Sequence, residues 1–77
     1  MLTLNKVNAD TTCLVKSVAD SPFRAKLADM GLIPGNEVKV LFRAPLGDPI
    51  ALEVSDYVLS LRNDEASLVE VEEIKGE

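Results

Sequence analysis

The stretch LADMGLIPGNEV, Leu27–Val38, changes period halfway: helically spaced apolar residues give way to Gly31, Pro34 and Gly35, and alternation begins at Glu37. Upstream, DSPFRAKLADMG carries both ends of a short helix. Ser21 suits its N-cap, Pro22 its first position, and Gly31 the left-handed residue just past its end. Phe23, Leu27 and Met30 fall at i, i+4 and i+7, a narrow apolar stripe, while Arg24, Lys26 and Asp29 point elsewhere. A helix this short is unstable alone, so the stripe predicts docking on a neighbour. Ile33-Pro34-Gly35-Asn36 has Pro and Gly in the order of a type II turn. Glu37–Arg43 then reads as a half-buried strand, with Val38, Val40 and Phe42 inward and Glu37, Lys39 and Arg43 outward, interrupted only by Leu41.

Outward from this segment the chain is predominantly strand. TTCLVKSVA, residues 11–19, is rich in β-branched residues, with Cys13, Val15 and Ser17 on one side and Leu14, Lys16 and Val18 on the other, so its buried face is ambiguous. APLGDPI places two prolines and a glycine after the central strand, which predicts a defined loop over residues 44–49. Ile50, Leu52 and Val54 alternate again, Ser55-Asp56 turns the chain, and Tyr57, Leu59 and Leu61 are in phase on the return. Asn63–Ala66 suits one helical turn, and Leu68–Ile74 supplies a last strand with Val69 and Val71 in phase. The expectation is a mainly β, single-domain fold over residues 1–77: a small barrel of about five antiparallel strands, with one short helix between the first two. Closure of short strands into a barrel removes exposed edges.

Composition narrows the function. The chain has 77 residues, 47% of them hydrophobic, and a fold of this size buries only roughly 60 to 65% of its unfolded surface. It contains no histidine and a single cysteine, Cys13, so Cys/His and Ser/His catalytic pairs and cysteine-rich zinc sites are excluded. No Gly-rich phosphate motif is present, so neither enzyme activity nor a cofactor is expected. Cys13 reads as a packed strand residue. No run approaches the roughly 18 apolar residues of a membrane span, and MLTLNKVNAD lacks the pattern of a signal peptide, which predicts a cytoplasmic protein that does not insert in the membrane. The net charge of −5 sits entirely in residues 64–77, where six acids face Lys75; the first 63 residues hold seven acids and seven bases. An acidic end disfavours nonspecific nucleic-acid binding, and the only aromatics are Phe23, Phe42 and Tyr57, at least two of them at core-facing positions.

RAKLADMGLIPGNEVKVLFRAPLGDPIALEV, Arg24–Val54, followed by YVLSLR, resembles the FeoA family, the small SH3-like proteins of bacterial ferrous-iron uptake. The resemblance covers nearly the whole chain. It rests on the helix-to-turn segment, where Ser21, Pro22, Leu27, Met30, Gly31, Pro34 and Gly35 form the structural motif, and on the loop Ala44–Ile50. Many members have glycine before the first strand and before the fourth, where this chain has Asp10 and Asp56, a residue type that tolerates the left-handed region better than most. The resemblance implies a cytoplasmic accessory protein working with FeoB, the membrane ferrous-iron transporter whose cytosolic part contains a G-protein domain. A regulatory module that docks on that cytosolic region through the loop is the leading expectation for its action.

The candidate partner-binding residues are Pro45, Leu46, Gly47, Asp48 and Pro49, with Arg43 and Lys39 beside them, because an ordered loop on a small scaffold is a natural contact site and its prolines lower the ordering cost. A purely structural role is the alternative: the prolines shape the connection, Leu46 packs inward and Asp48 caps a turn. Glu70 and Glu72 share one strand face, yet exposed carboxylates without imidazole rarely form a selective metal site, and none is expected. A small-barrel nucleic-acid binder and an Fe²⁺ sensor remain as alternatives. Homo-oligomers are expected if a barrel edge stays open.

Overall fold

The computed structural model describes residues 1–74; Lys75 and Glu77 of the acidic end lie outside the described residues. Six strands follow in chain order: β1 (Leu2–Thr3), β2 (Thr11–Val18), β3 (Glu37–Arg43), β4 (Ile50–Val54), β5 (Tyr57–Leu61) and β6 (Val69–Glu73). A 3-10 turn (Leu4–Lys6) follows β1, α1 (Arg24–Asp29) lies between β2 and β3, and α2 (Asn63–Ala66) lies between β5 and β6. The mainly β architecture matches the expectation. The strand missing from the sequence reading is β1, whose two residues are too few to show alternation.

All strands join one antiparallel sheet in the order β1-β6-β2-β3-β4-β5. Its inner face supplies Val15, Val38, Val40, Leu52, Val54, Leu61, Val69 and Val71 to a single core, which the sheet wraps around. Burying each Val or Leu contributes about 1.5–3 kcal/mol. The end strands β1 and β5 do not pair with each other, so closure by hydrogen bonds is incomplete and the expected loss of both edges does not occur.

Two bulges decide which residues face the core. In β2 the register slips between Val15 and Ser17, so Cys13, Val15 and Val18 are buried. One strand thus buries odd positions before Lys16 and an even one after it, which is why its sequence phase is ambiguous. In β3 the slip falls between Val40 and Phe42 and leaves Leu41 as the extra residue. Val38 and Val40 are buried as expected, but Phe42 is 60% exposed. Arg43 is also reversed: partly buried rather than outward, its Nη2 donates to the carbonyls of Asn5 and Val7, each at 2.7 Å.

The segment that opened the sequence reading folds into two linked caps. Gly31 (φ +96°) follows α1, its N–H donates to the Ala28 carbonyl, and that of Leu32 donates to the Leu27 carbonyl. This is a Schellman motif, and its apolar partners Leu27 and Leu32 are both fully buried. A Cβ on Gly31 would stand 2.8 Å from Cγ1 of Val54, so both backbone sign and space require glycine here. Asn36 N–H then donates to the Ile33 carbonyl and closes the Pro34-Gly35 turn, which Gly35 N–H ties to the Val15 carbonyl of β2. At the other end, α1 starts at Arg24, later than Ser21 and Pro22 imply. Ser21 caps an opening turn instead, its Oγ accepting from Phe23 N–H at 3.2 Å. Leu27 and Met30 dock as expected, whereas Phe23 remains 44% exposed.

Candidate docking site

The loop between β3 and β4 is built from its own sequence chemistry. Ala44-Pro45-Leu46-Gly47 forms a turn in which Gly47 N–H donates to the Ala44 carbonyl at 2.7 Å, with Pro45 at the second position and Gly47 at φ +86°. Ala44 N–H donates to the Pro49 carbonyl at 3.0 Å and closes the loop at its base. The far side is tied to α2: Asp48 Oδ1 accepts from Asn63 N–H at 2.9 Å, and Asn63 Nδ2 donates to the Gly47 carbonyl at 3.0 Å. Asp48 thus caps the start of α2 rather than a turn of its own loop, holding one of the helix's otherwise unpaired donors.

Fixing this backbone leaves Pro45, Leu46 and Pro49 exposed. Leu46 is 96% exposed at the loop tip and does not pack inward. Arg43 pairs with Ile50 at the loop base, which places Phe42 one residue away on the outer face. Across the sheet Phe42 stands opposite Ala51, and Ala51 opposite Ser60, so the row running from the loop to β5 carries no charge. The candidate surface is thus Leu46, flanked by Pro45, Pro49 and Phe42.

The remaining expected contacts divide. Lys39 lies in a shallow cleft with Thr12, Glu37, Val38, Glu53, Ser55 and Asp56, on the outer face and away from the loop. Arg43 is used internally, bonded to the N-terminal segment. Phe42 was missed because unbroken alternation through Leu41 places it inside; the signal that would have found it is Leu41 itself, an apolar residue out of phase. The expectation that at least two aromatics face the core is also overturned. Phe23, Phe42 and Tyr57 are all exposed, Tyr57 by 73%. They form no shared stacking platform, because Tyr57 stands opposite inward-facing Val54 and Phe42 opposite outward-facing Ala51.

The ionisable groups are engaged locally. Glu65 of α2 accepts from Arg62 N–H at 3.1 Å and from Lys26 Nζ of α1 at 3.1 Å. The backbone bond, then the Lys26 bond, hold its carboxyl below the ordinary value. Burial, reinforced by the charge of Glu73, pushes the Cys13 thiol up, which disfavours the reactive thiolate. On β6, Glu70 accepts from Ser17 Oγ at 2.9 Å and Glu72 pairs with Lys16 at 3.4 Å. Among the described residues no three acidic, cysteine or histidine side chains gather around a common point, and no helix is long and apolar enough to cross a membrane.

This fold defines a small SH3-like β domain with an ordered, apolar loop exposed at its surface. A family model for the FeoA domain matches residues 2–73, and the chain belongs to that family. The positive φ of Asp10 (64°) and Asp56 (72°) agrees with their standing where many members have glycine. A curated relative from Porphyromonas gingivalis, the Fe(2+) transport protein A/Fe(2+) transporter FeoB fusion protein, is 35% identical over 67 residues. The match covers 87% of this chain but only 8% of that protein. The FeoA-like protein of Clostridium acetobutylicum superposes with a TM-score of 0.91 at 38% identity, covering 99% of this chain and 90% of that one. The FeoA of Stenotrophomonas maltophilia, a prokaryotic SH3 domain protein complexed with zinc, gives a TM-score of 0.84 at 28% identity, covering 94% and 91% of the two chains.

Proposed function

We propose that this chain is a cytoplasmic accessory protein of bacterial ferrous-iron uptake that docks on the cytosolic region of a FeoB-type transporter. The association is supported by the P. gingivalis relative, in which a segment like this chain is joined to the transporter in one polypeptide. Covalent linkage holds the two parts at high effective concentration, which is useful where they work in contact.

The observation that carries the docking reading is the exposure of Leu46 on a loop closed by the Ala44–Pro49 bond and tied to Asn63. An apolar side chain on an already ordered backbone adds contact area without a further loss of loop entropy. Phe42 widens the patch, and Pro45 and Pro49 stiffen its rim. Arg43 and Lys39 are set aside as primary contacts. The action proposed is regulatory: the site offers shape and apolar surface.

The test is binding of the chain to the transporter's purified cytosolic G domain by calorimetry, with GDP and with a nonhydrolysable GTP analogue. Leu46→Asp is expected to weaken docking by about ten- to thirtyfold while leaving the melting temperature unchanged, since Leu46 packs on nothing. Equal affinity of the variant and the wild type would remove the loop from the interface.

The zinc bound in the S. maltophilia relative favours metal sensing as a second reading. It stands behind docking because Glu70 and Glu72, the carboxylates nearest to a site, already engage Ser17 and Lys16.

A further inference from the structure

Among the described residues, strand β5 ends the sheet and hydrogen-bonds to β4 alone. Its hairpin turns through Ser55 (φ 50°) and Asp56 (φ 72°), the paired positive values of a tight two-residue connection, and Val54 pairs with Tyr57 across it. The pair closing such a turn is hydrogen-bonded, so Tyr57, Leu59 and Leu61 direct their backbone groups to β4, and Val58 and Ser60 direct theirs away from the sheet. Val58 is 67% exposed, and among the described residues no other group bonds to either residue. Edge strands are usually guarded by charge, proline, bulges or brevity. Tyr57-Val58-Leu59-Ser60-Leu61 has no charge and no proline, and its ladder with β4 runs without a slip. At the opposite end of the sheet, β1 is guarded by its two-residue length.

We propose that β5 is a self-association edge, pairing antiparallel with β5 of a second copy of this chain about a two-fold axis at Leu59. Three registers bring the free residues into hydrogen-bonding positions, and the sequence separates them. Centred on Leu59, Val58 faces Ser60 of the other copy twice over, giving about four backbone hydrogen bonds. In the same register Asp56 of each copy stands opposite Arg62 of the other, one ion pair at each end, and no like charges meet. Centring on Ser60 would oppose Asp56 to Asp64. It would also call on Arg62 N–H, already donated to Glu65. Centring on Val58 would oppose Arg62 to apolar Val54 and require ladder bonds from Asp56, whose φ of 72° is not that of a strand. Self-complementarity across a two-fold is what an isologous dimer needs. One strand pair is a small interface, so the dimer is weak and concentration-dependent.

Sedimentation of the full chain at low salt, from about 10 µM to about 1 mM, tests this. A reversible monomer–dimer equilibrium is expected, with the Val58 and Ser60 amides gaining exchange protection as concentration rises. Arg62→Glu should weaken the dimer about tenfold, and adding Asp56→Lys should restore it. Ser60→Pro removes a donor that faces away from β4, so it should abolish the dimer while the variant still folds. If Ser60→Pro does not fold, the charge-reversal pair decides alone. A wild type monomeric throughout the range, or a dimer indifferent to Arg62→Glu, overturns the proposal.

Discussion

Gly31 shows how one residue couples the helix to the sheet. Its φ of +96° ends α1, and the space its missing Cβ leaves is filled by Val54. Gly31→Ala should therefore cost about 2–4 kcal/mol, combining left-handed strain with overpacking of a stiff β-branched neighbour. Chemical denaturation of the variant measures it, and a loss below about 1 kcal/mol would show that β4 yields at that point. Gly31 was legible in the sequence because a helix end followed by Pro-Gly constrains a glycine strongly. Contact with Val54 was not, since it links residues far apart in sequence.

Glu65 acts at the same scale. Its folded pKa lies below the ordinary 4.5 because Arg62 N–H and Lys26 stabilise the carboxylate. A depressed pKa contributes stability that is fully present above the ordinary value and lost as pH falls through the folded one. Thermal melts of wild type and Glu65→Gln should thus differ most above pH 4.5 and converge on acidification. Parallel curves down to low pH would show that the pairing of α1 with α2 adds nothing.

Among the elements, β3 carries the most consequence. One bulge at Leu41 turns Phe42 out to solvent and brings Arg43 in to bond the Asn5 and Val7 carbonyls. Arg43→Ala should lower stability by about 2–3 kcal/mol and speed amide exchange in the N-terminal segment, with Lys recovering only part because it lacks the planar fork. Unchanged stability would mean that these bonds merely replace water. The strand itself was legible from its alternation, as was the loop from its prolines. Which side each end residue takes was not, because a bulge inserts one residue without any obligatory sequence mark. Asp48 similarly read as either a contact or a turn cap, and its bond to Asn63 of α2 depends on a helix that lies far from it in sequence.

At the scale of the whole molecule, the sequence conveyed a mainly β fold and a family resemblance because its turns are chemically specific: Pro34-Gly35, Pro45 to Pro49, and Ser55-Asp56. It did not convey the missing link between β1 and β5, since edge closure depends on how far the sheet curls, a sum over every strand's twist. The same sheet keeps its two apolar features apart in role. As proposed, the fixed loop would present Leu46 to a transporter, and the β5 edge would offer backbone groups to a second copy.

The docking account is tested most directly by titrating the ¹⁵N-labelled chain with the transporter's cytosolic G domain in its GDP and GTP-analogue states, with Fe²⁺ alone as a control. Amide shifts centred on Leu46, Gly47 and Phe42 that depend on the bound nucleotide are the predicted result. A spectrum unmoved by the G domain, with Fe²⁺ instead shifting Glu70 to Glu73, would contradict docking and favour metal sensing.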